Sequence, residues 1–167
     1  KYKNIVNILN IKKSDILLEI GCGWGGFINY IQKNIGATIT GITISKEQYH
    51  FTKNFTFKKN KVFFMDYRKI NRTYDKIISI EMFEAVGKKN WNNYFKILEQ
   101  SLNNKGIALL QIITIDEKKY LAYENSSDFI QQYIFPGGML PTKSHLKNIA
   151  KKNQLEIEEK ISFRKDY

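Results

Sequence analysis

The run Ile16-Leu17-Leu18-Glu19-Ile20-Gly21-Cys22-Gly23-Trp24-Gly25-Gly26-Phe27 decides how this 167-residue chain folds. Five residues, apolar except for one carboxylate, lead straight into closely spaced glycines, and a helical apolar period begins at Phe27. A short apolar run closed by glycines reads as a buried strand. The glycines permit a tight turn, and the helix behind it presents unpaired N–H groups there. Outward from this unit the same alternation repeats. Residues 27–34 read as a helix, 38–42 as a second strand, 45–54 as a helix, 62–65 as a third strand and 76–80 as a fourth. Trp91, Tyr94, Phe95, Leu98 and Leu102 recur at helical spacing behind Asn90, a capping residue type, and Asn104-Lys105-Gly106 ends that helix. Residues 107–115 read as a fifth and longest strand, 144–153 as a helix and 155–163 as a sixth strand. Strands alternating with helices predict an α/β, Rossmann-like fold, a mostly parallel sheet with helices on both faces.

One stretch breaks the alternation. Residues 116–141 carry an apolar stripe at Phe129, Ile130, Tyr133 and Ile134, then Phe135-Pro136-Gly137-Gly138-Met139-Leu140-Pro141, which holds both prolines of the chain. An insertion after strand five lies at the carboxyl ends of the strands, where open α/β sheets bind ligands. The expected organisation is one domain over 1–167, a core trimmed at both ends, with 116–141 as a lid.

Composition excludes several classes. Hydrophobic residues at 43% and aromatics at 14% can fill a core, so the chain is not disordered. A single cysteine excludes a disulfide framework, and no Cys/His zinc spacing occurs, so no metal is expected. No apolar run approaches about 18 residues, the length of a membrane-spanning helix. The start Lys1-Tyr2-Lys3-Asn4 lacks the apolar core of a signal peptide, so a cytoplasmic location is expected. The net charge is +11, but it comes from 24 Lys and only 3 Arg, and nucleic-acid reading favours the Arg fork. Lys, Ile and Asn rising together is what AT-rich coding produces. Two explanations of the charge therefore stand side by side, solvated lysines from coding drift and attraction to an anionic membrane surface.

The glycine loop fits two templates. Gly21, Gly23 and Gly26 satisfy the G-x-G-x-x-G of dinucleotide folds, and Glu19, Gly21, Gly23 and Gly25 satisfy the acid-x-G-x-G-x-G of S-adenosylmethionine (SAM) methyltransferases. A dinucleotide site wants an acid at the end of strand two for the ribose, and Gly41-Ile42-Thr43 stand there instead. Glu19 suits the ammonium of a methionine moiety. A loop that only packs helix on strand is the bland alternative. Glu84 is the leading candidate for chemistry: it follows strand four on the ligand edge, amid Met82, Phe83, Ala85 and Val86, where a carboxyl needs a specific partner; a helix-face Glu in solvent is the equal alternative at this point. Cys22 has no His near it in sequence and reads as packing.

Further strings extend the glycine loop: Gly41-Ile42-Thr43-Ile44-Ser45-Lys46-Glu47-Gln48, Asp66-Tyr67-Arg68, Ser79-Ile80-Glu81-Met82-Phe83-Glu84-Ala85-Val86-Gly87 and Tyr133-Ile134-Phe135-Pro136-Gly137-Gly138. In this order and spacing the chain resembles the cyclopropane-fatty-acyl-phospholipid synthases and the mycolic acid cyclopropane synthases over roughly residues 12 to 167. The resemblance implies a class I SAM-dependent methyltransferase fold. It implies C-methylation of a cis double bond in the acyl chain of an unsaturated membrane phospholipid, giving a cyclopropane or methyl-branched chain. Glu19, Gly21, Gly23 and Gly25 would meet the methionine part of SAM, Thr43, Ile44, Ser45 and Gln48 the ribose, and Asp66, Tyr67 and Arg68 the adenine. Glu84 would hold a bicarbonate ion that takes the proton, with the backbone of Ile113 beside it. Gln111 departs from the family, many of whose members have His there, so ring closure and simple methylation both stay open. Phe83, Tyr133 and Phe135 are candidate aromatic faces for the substrate cation. The implied partners are the phospholipid and an anionic membrane surface met peripherally, with room for a homodimer and no nucleic acid. Competing readings are a methyltransferase of the same fold acting on a small soluble molecule, an NAD-dependent enzyme and a basic nucleic-acid module.

Overall fold

The computed structural model describes residues 1–54, 60–125 and 137–162. Five strands run parallel in one sheet: β1 (Ile16–Ile20), β2 (Thr38–Thr43), β3 (Lys61–Phe64), β4 (Tyr74–Ile80) and β5 (Leu102–Gln111), in the order β3-β2-β1-β4-β5. The chain steps outward from β1 to β3 and then crosses back, so β4 pairs on the other side of β1. This reversal opens a crevice between the carboxyl ends of β1 and β4. Because all strands are parallel, every segment that follows a strand starts at that one edge.

Successive side chains alternate between the two faces of the sheet. Leu17, Ile39 and Ile78 pack with Ile5 and Val6 of α1 (Tyr2–Ile8) and with Phe27, Ile28 and Ile31 of α2 (Gly26–Asn34), and Tyr49 of α3 (Lys46–Lys53) borders this core. On the other face Leu18, Ile20, Ile42 and Ile77 meet Trp91, Tyr94, Phe95 and Leu98 of α4 (Trp91–Ser101), Tyr120 of α5 (Glu117–Glu124) and Ala150 of α6 (Lys143–Lys152). The predicted architecture of helices on both faces of a parallel sheet is the observed one. No helix among the described residues is long and apolar enough to cross a membrane.

Three readings need correction. The fifth strand does not run over 107–115. It follows α4 directly, with Leu102 opposite Tyr74 and Ile107 opposite Lys76, so residues 103–106 bulge from the ladder around Lys105 at φ 65°. It ends at Gln111, opposite Ile80, the last residue of β4; beyond that point β4 offers no further ladder partner. Residues 155–162 form no strand. α1, unread in the sequence, covers the edge of the first core with Ile5 and Val6. Phe129, Ile130, Tyr133, Ile134, Phe135 and Pro136 lie outside the described residues, as does Phe163.

Candidate functional site

The glycine loop after β1 is held in one shape. Gly21 and Gly25 sit at φ 77° and 76°, a left-handed region that a side chain resists. A Cβ at Gly21 would stand 2.7 Å from Met82 Cγ, and one at Gly25 would stand 2.5 Å from Thr52 Cγ2. The N–H groups of Gly21 and Cys22 both donate to the Ile42 carbonyl at 3.0 Å, which ties the loop to β2. Thr52 Oγ1 donates to the Gly23 carbonyl at 3.1 Å. Sequence reasoning missed Thr52; its signal is a polar residue one turn after Gln48 on the same helix. At Gly23 the space where a Cβ would stand is open, with no atom within 4 Å.

Glu19 lies on β1, on the same face as Leu17, and is 3% exposed. Its Oε2 has no hydrogen-bond partner, and burial pushes its carboxyl well above the usual carboxylate range. A buried oxygen left unpaired is costly, so the position favours a donor. An ammonium is such a donor and would restore the ionised form. Burial, with Glu19 close by, pushes the Cys22 thiol up to about 12, which removes it as a nucleophile.

The segments after β2 and β3 are closely hydrogen-bonded. Thr43 Oγ1 donates to Gln48 Oε1 at 2.7 Å and accepts the Ser45 N–H at 3.1 Å. Ser45 Oγ accepts the Gln48 N–H at 3.2 Å and so caps α3. With Oε1 so engaged, Gln48 Nε2 is left as the donor end. Ile44 stands 74% exposed beside them. Asp66 caps the 3-10 turn at Tyr67–Lys69, and Arg68 grips it with Nε at 2.9 Å and Nη2 at 2.6 Å. That guanidinium holds the Asp66 carboxyl below its ordinary range. The Tyr67 ring meets Tyr94 edge-on at 5.0 Å, which fixes its plane at the end of β3.

Past β4 two carboxylates stand close together. Glu84 is 8% exposed, so it is not a solvent-facing residue. Its Oε1 accepts the Ile113 N–H at 2.6 Å, while Oε2 is buried with no partner. Burial raises its carboxyl above the ordinary range; the Ile113 N–H works against that, and the charge of Glu81 adds to it. The Met139 N–H donates to the Glu84 carbonyl at 2.9 Å, which brings the end of the 116–141 insertion against this turn. Gln111 is not joined to Glu84. Its Nε2 donates to Glu81 Oε1 at 2.6 Å, and its carbonyl accepts the Glu81 N–H at 2.9 Å. Ile113 also differs from its reading: it lies beyond the end of β5 and reaches Glu84 from irregular chain. A bicarbonate ion does not fit these residues. The Ile113 N–H already donates to Glu84 and an N–H of Gln111 Nε2 to Glu81, and an added anion would meet the Glu81 carboxylate. Phe83 is no free cation-facing ring; at 1% exposure it stacks on Trp91 at 5.6 Å and packs edge-on to Tyr94 and Phe95. Tyr133 and Phe135 fall outside the described residues. Among the described residues no group of three His, Cys, Asp or Glu could hold a metal ion.

A family model for mycolic acid cyclopropane synthetase matches residues 1–167. The chain belongs to that family. Within the cyclopropane synthetase family, it is 36% identical over 170 residues to the cyclopropane-fatty-acyl-phospholipid synthase of Escherichia coli K12. It is 32% identical over 173 residues to the tuberculostearic acid methyltransferase of Mycobacterium tuberculosis. Both alignments use the whole chain, yet it spans only 43% and 40% of those proteins. A mycolic acid cyclopropane synthase solved with SAH and CTAB superposes with a TM-score of 0.84 at 24% identity, covering 95% of this chain and 60% of that one. The fold is that of the class I SAM-dependent methyltransferases.

Proposed function

We propose that this chain is the SAM-binding core of an enzyme that methylates the cis double bond of an unsaturated acyl chain in a membrane phospholipid, leaving a cyclopropane or methyl-branched chain. One observation carries the SAM half of this reading: a buried carboxylate with an orphaned oxygen, Glu19, lies on the strand that feeds a glycine loop open at Gly23. Bound SAM supplies an electrophilic methyl group on a sulfonium cation. Glu19 would take the ammonium, Gln48 Nε2 and Thr43 would face the ribose, and Tyr67 would lie against the adenine, with Asp66 and Arg68 holding that turn. The relatives' names support the lipid half: a cyclopropane-fatty-acyl-phospholipid synthase, a tuberculostearic acid methyltransferase and a sphingolipid C9-methyltransferase.

The 116–141 segment is the part we assign to acyl-chain binding, because its far end bonds to the Glu84 turn through Met139. The lysine-rich surface would dock the protein on anionic bilayers, at roughly 1 kcal/mol for each Lys near the surface. In vesicle sedimentation that binding should weaken as salt rises. The test of the whole reading uses protein expressed from its complete reading frame, SAM and vesicles of unsaturated phospholipid. The acyl chains should gain the mass of one CH2 group. Methylation of a small soluble molecule with no change in the lipid would replace the lipid reading.

A further inference from the structure

We infer that Glu81 is the catalytic base of this site, so that the chain supplies from its own residues the carboxylate that a bound bicarbonate was expected to provide. The inference rests on the lipid-methylating reading above. Glu81 is the first residue past β4, beside the crevice where the strand order reverses. It is a non-glycine residue at φ 52°, a conformation that a side chain adopts only when its surroundings impose it. Here Gln111 imposes it with two bonds, the 2.9 Å contact from the Glu81 N–H to its carbonyl and the 2.6 Å contact from its Nε2 to Oε1. Lys1 Nζ stands 3.2 Å from the same oxygen. A strained turn gripped on backbone and side chain fixes where this carboxylate points.

The neighbouring Glu84 cannot take the same part. It is buried and tied to Ile113, whereas the Glu81 side chain keeps 38% of its surface exposed and can pass a proton on to solvent. The two carboxyl groups sit in different settings: Glu84 is enclosed and held by Ile113, and Glu81 borders solvent under the grip of Gln111. In the step assigned to Glu81, a C–H bond of the methyl group newly joined to the acyl chain breaks. Its electron pair forms the second ring bond at the cationic carbon. The proton goes to the Glu81 carboxylate, which becomes a neutral carboxyl and releases it to water. Gln111 is then a positioning residue that acts through Glu81.

Protein from the complete reading frame is assayed on unsaturated phospholipid vesicles in CO2-free buffer, with and without added bicarbonate. The wild type should turn over equally in both. Glu81→Gln should lose about 100-fold or more in kcat, the scale of general-base catalysis, while calorimetry shows SAM affinity unchanged. Glu81→Gly, which suits the left-handed backbone, should be slow and regain rate when bicarbonate is added. Gln111→Ala should lower kcat and leave the KM for SAM unchanged. A wild type that stops without bicarbonate, or a Glu81→Gln protein as fast as wild type, would overturn the assignment. A wild type that binds SAM but leaves lipid unmodified would instead defeat the lipid reading, and this inference with it.

Discussion

The two sides of the ligand edge are held together over different distances in the chain. After β2 and β3, polar groups find partners within five residues: Thr43 with Gln48, Ser45 with the Gln48 N–H, Asp66 with Arg68. After β4 and β5, the partners lie about thirty residues apart: Glu81 with Gln111 and Glu84 with Ile113. The first side is a set of local turns that form wherever their sequence goes. The second exists only once β4 and β5 are paired, and it holds the strained backbone and an orphaned carboxyl oxygen. The residues assigned to the ribose and adenine can rest on local structure, whereas the groups assigned to chemistry need β4 and β5 paired to hold them.

Substitutions can break or sharpen this contrast. The largest effect is expected on the β4 side, from Phe83→Ala. Truncating a ring packed among Trp91, Tyr94 and Phe95 should cost about 3–5 kcal/mol in urea unfolding. If stability held and only turnover fell, Phe83 would be a substrate contact after all. Next, Glu19→Gln should weaken SAM binding in calorimetry by about 1.5–3 kcal/mol, the worth of a hydrogen bond to a charged group.

The same variant should change the pH dependence of stability. Burial raises the Glu19 carboxyl in the folded state, so the folded protein binds its proton more readily than the unfolded one does. Its contribution is complete below about pH 4, the unfolded carboxylate range, and is lost as pH rises toward the folded value. Urea midpoints should therefore decline over that rise in the wild type and decline less in Glu19→Gln. Gly21→Ala should cost about 1–2 kcal/mol for the left-handed backbone alone, plus whatever moving Met82 adds. Smallest of all, Asp66→Asn should cost less than about 1 kcal/mol, because its ion pair with Arg68 is partly solvated. Arg68 lowers the Asp66 carboxyl, so that small contribution holds above the ordinary carboxylate range and fades as pH falls below it.

What was legible in the sequence follows the same division. β1 ends where its apolar run meets glycine, and the loop shape follows from residues whose φ only glycine favours. Ser45 reads as a helix start because a serine before a polar–apolar period is a local signal. The β5 limits were not legible: Ile112, Ile113 and Ile115 are as apolar as the strand before them, and only the end of β4 at Ile80 stops the ladder. Phe83 reads equally well as a pocket wall or a core residue, since its aromatic neighbours sit eight to twelve residues on. In the sequence Glu81 is one residue of a longer string, because its bond to Gln111 depends on a register no single segment encodes. The strings matching the family stood in the sequence from the start, and the whole-length match agrees with them.

The most direct test of the central claim uses SAM carrying an isotopically labelled methyl group, protein from the complete reading frame and vesicles of unsaturated phospholipid. Mass spectrometry of the released acyl chains then reads the outcome. The account predicts chains heavier by one labelled CH2 group. Unlabelled chains from a protein that binds SAM and passes the label to a soluble acceptor would contradict it.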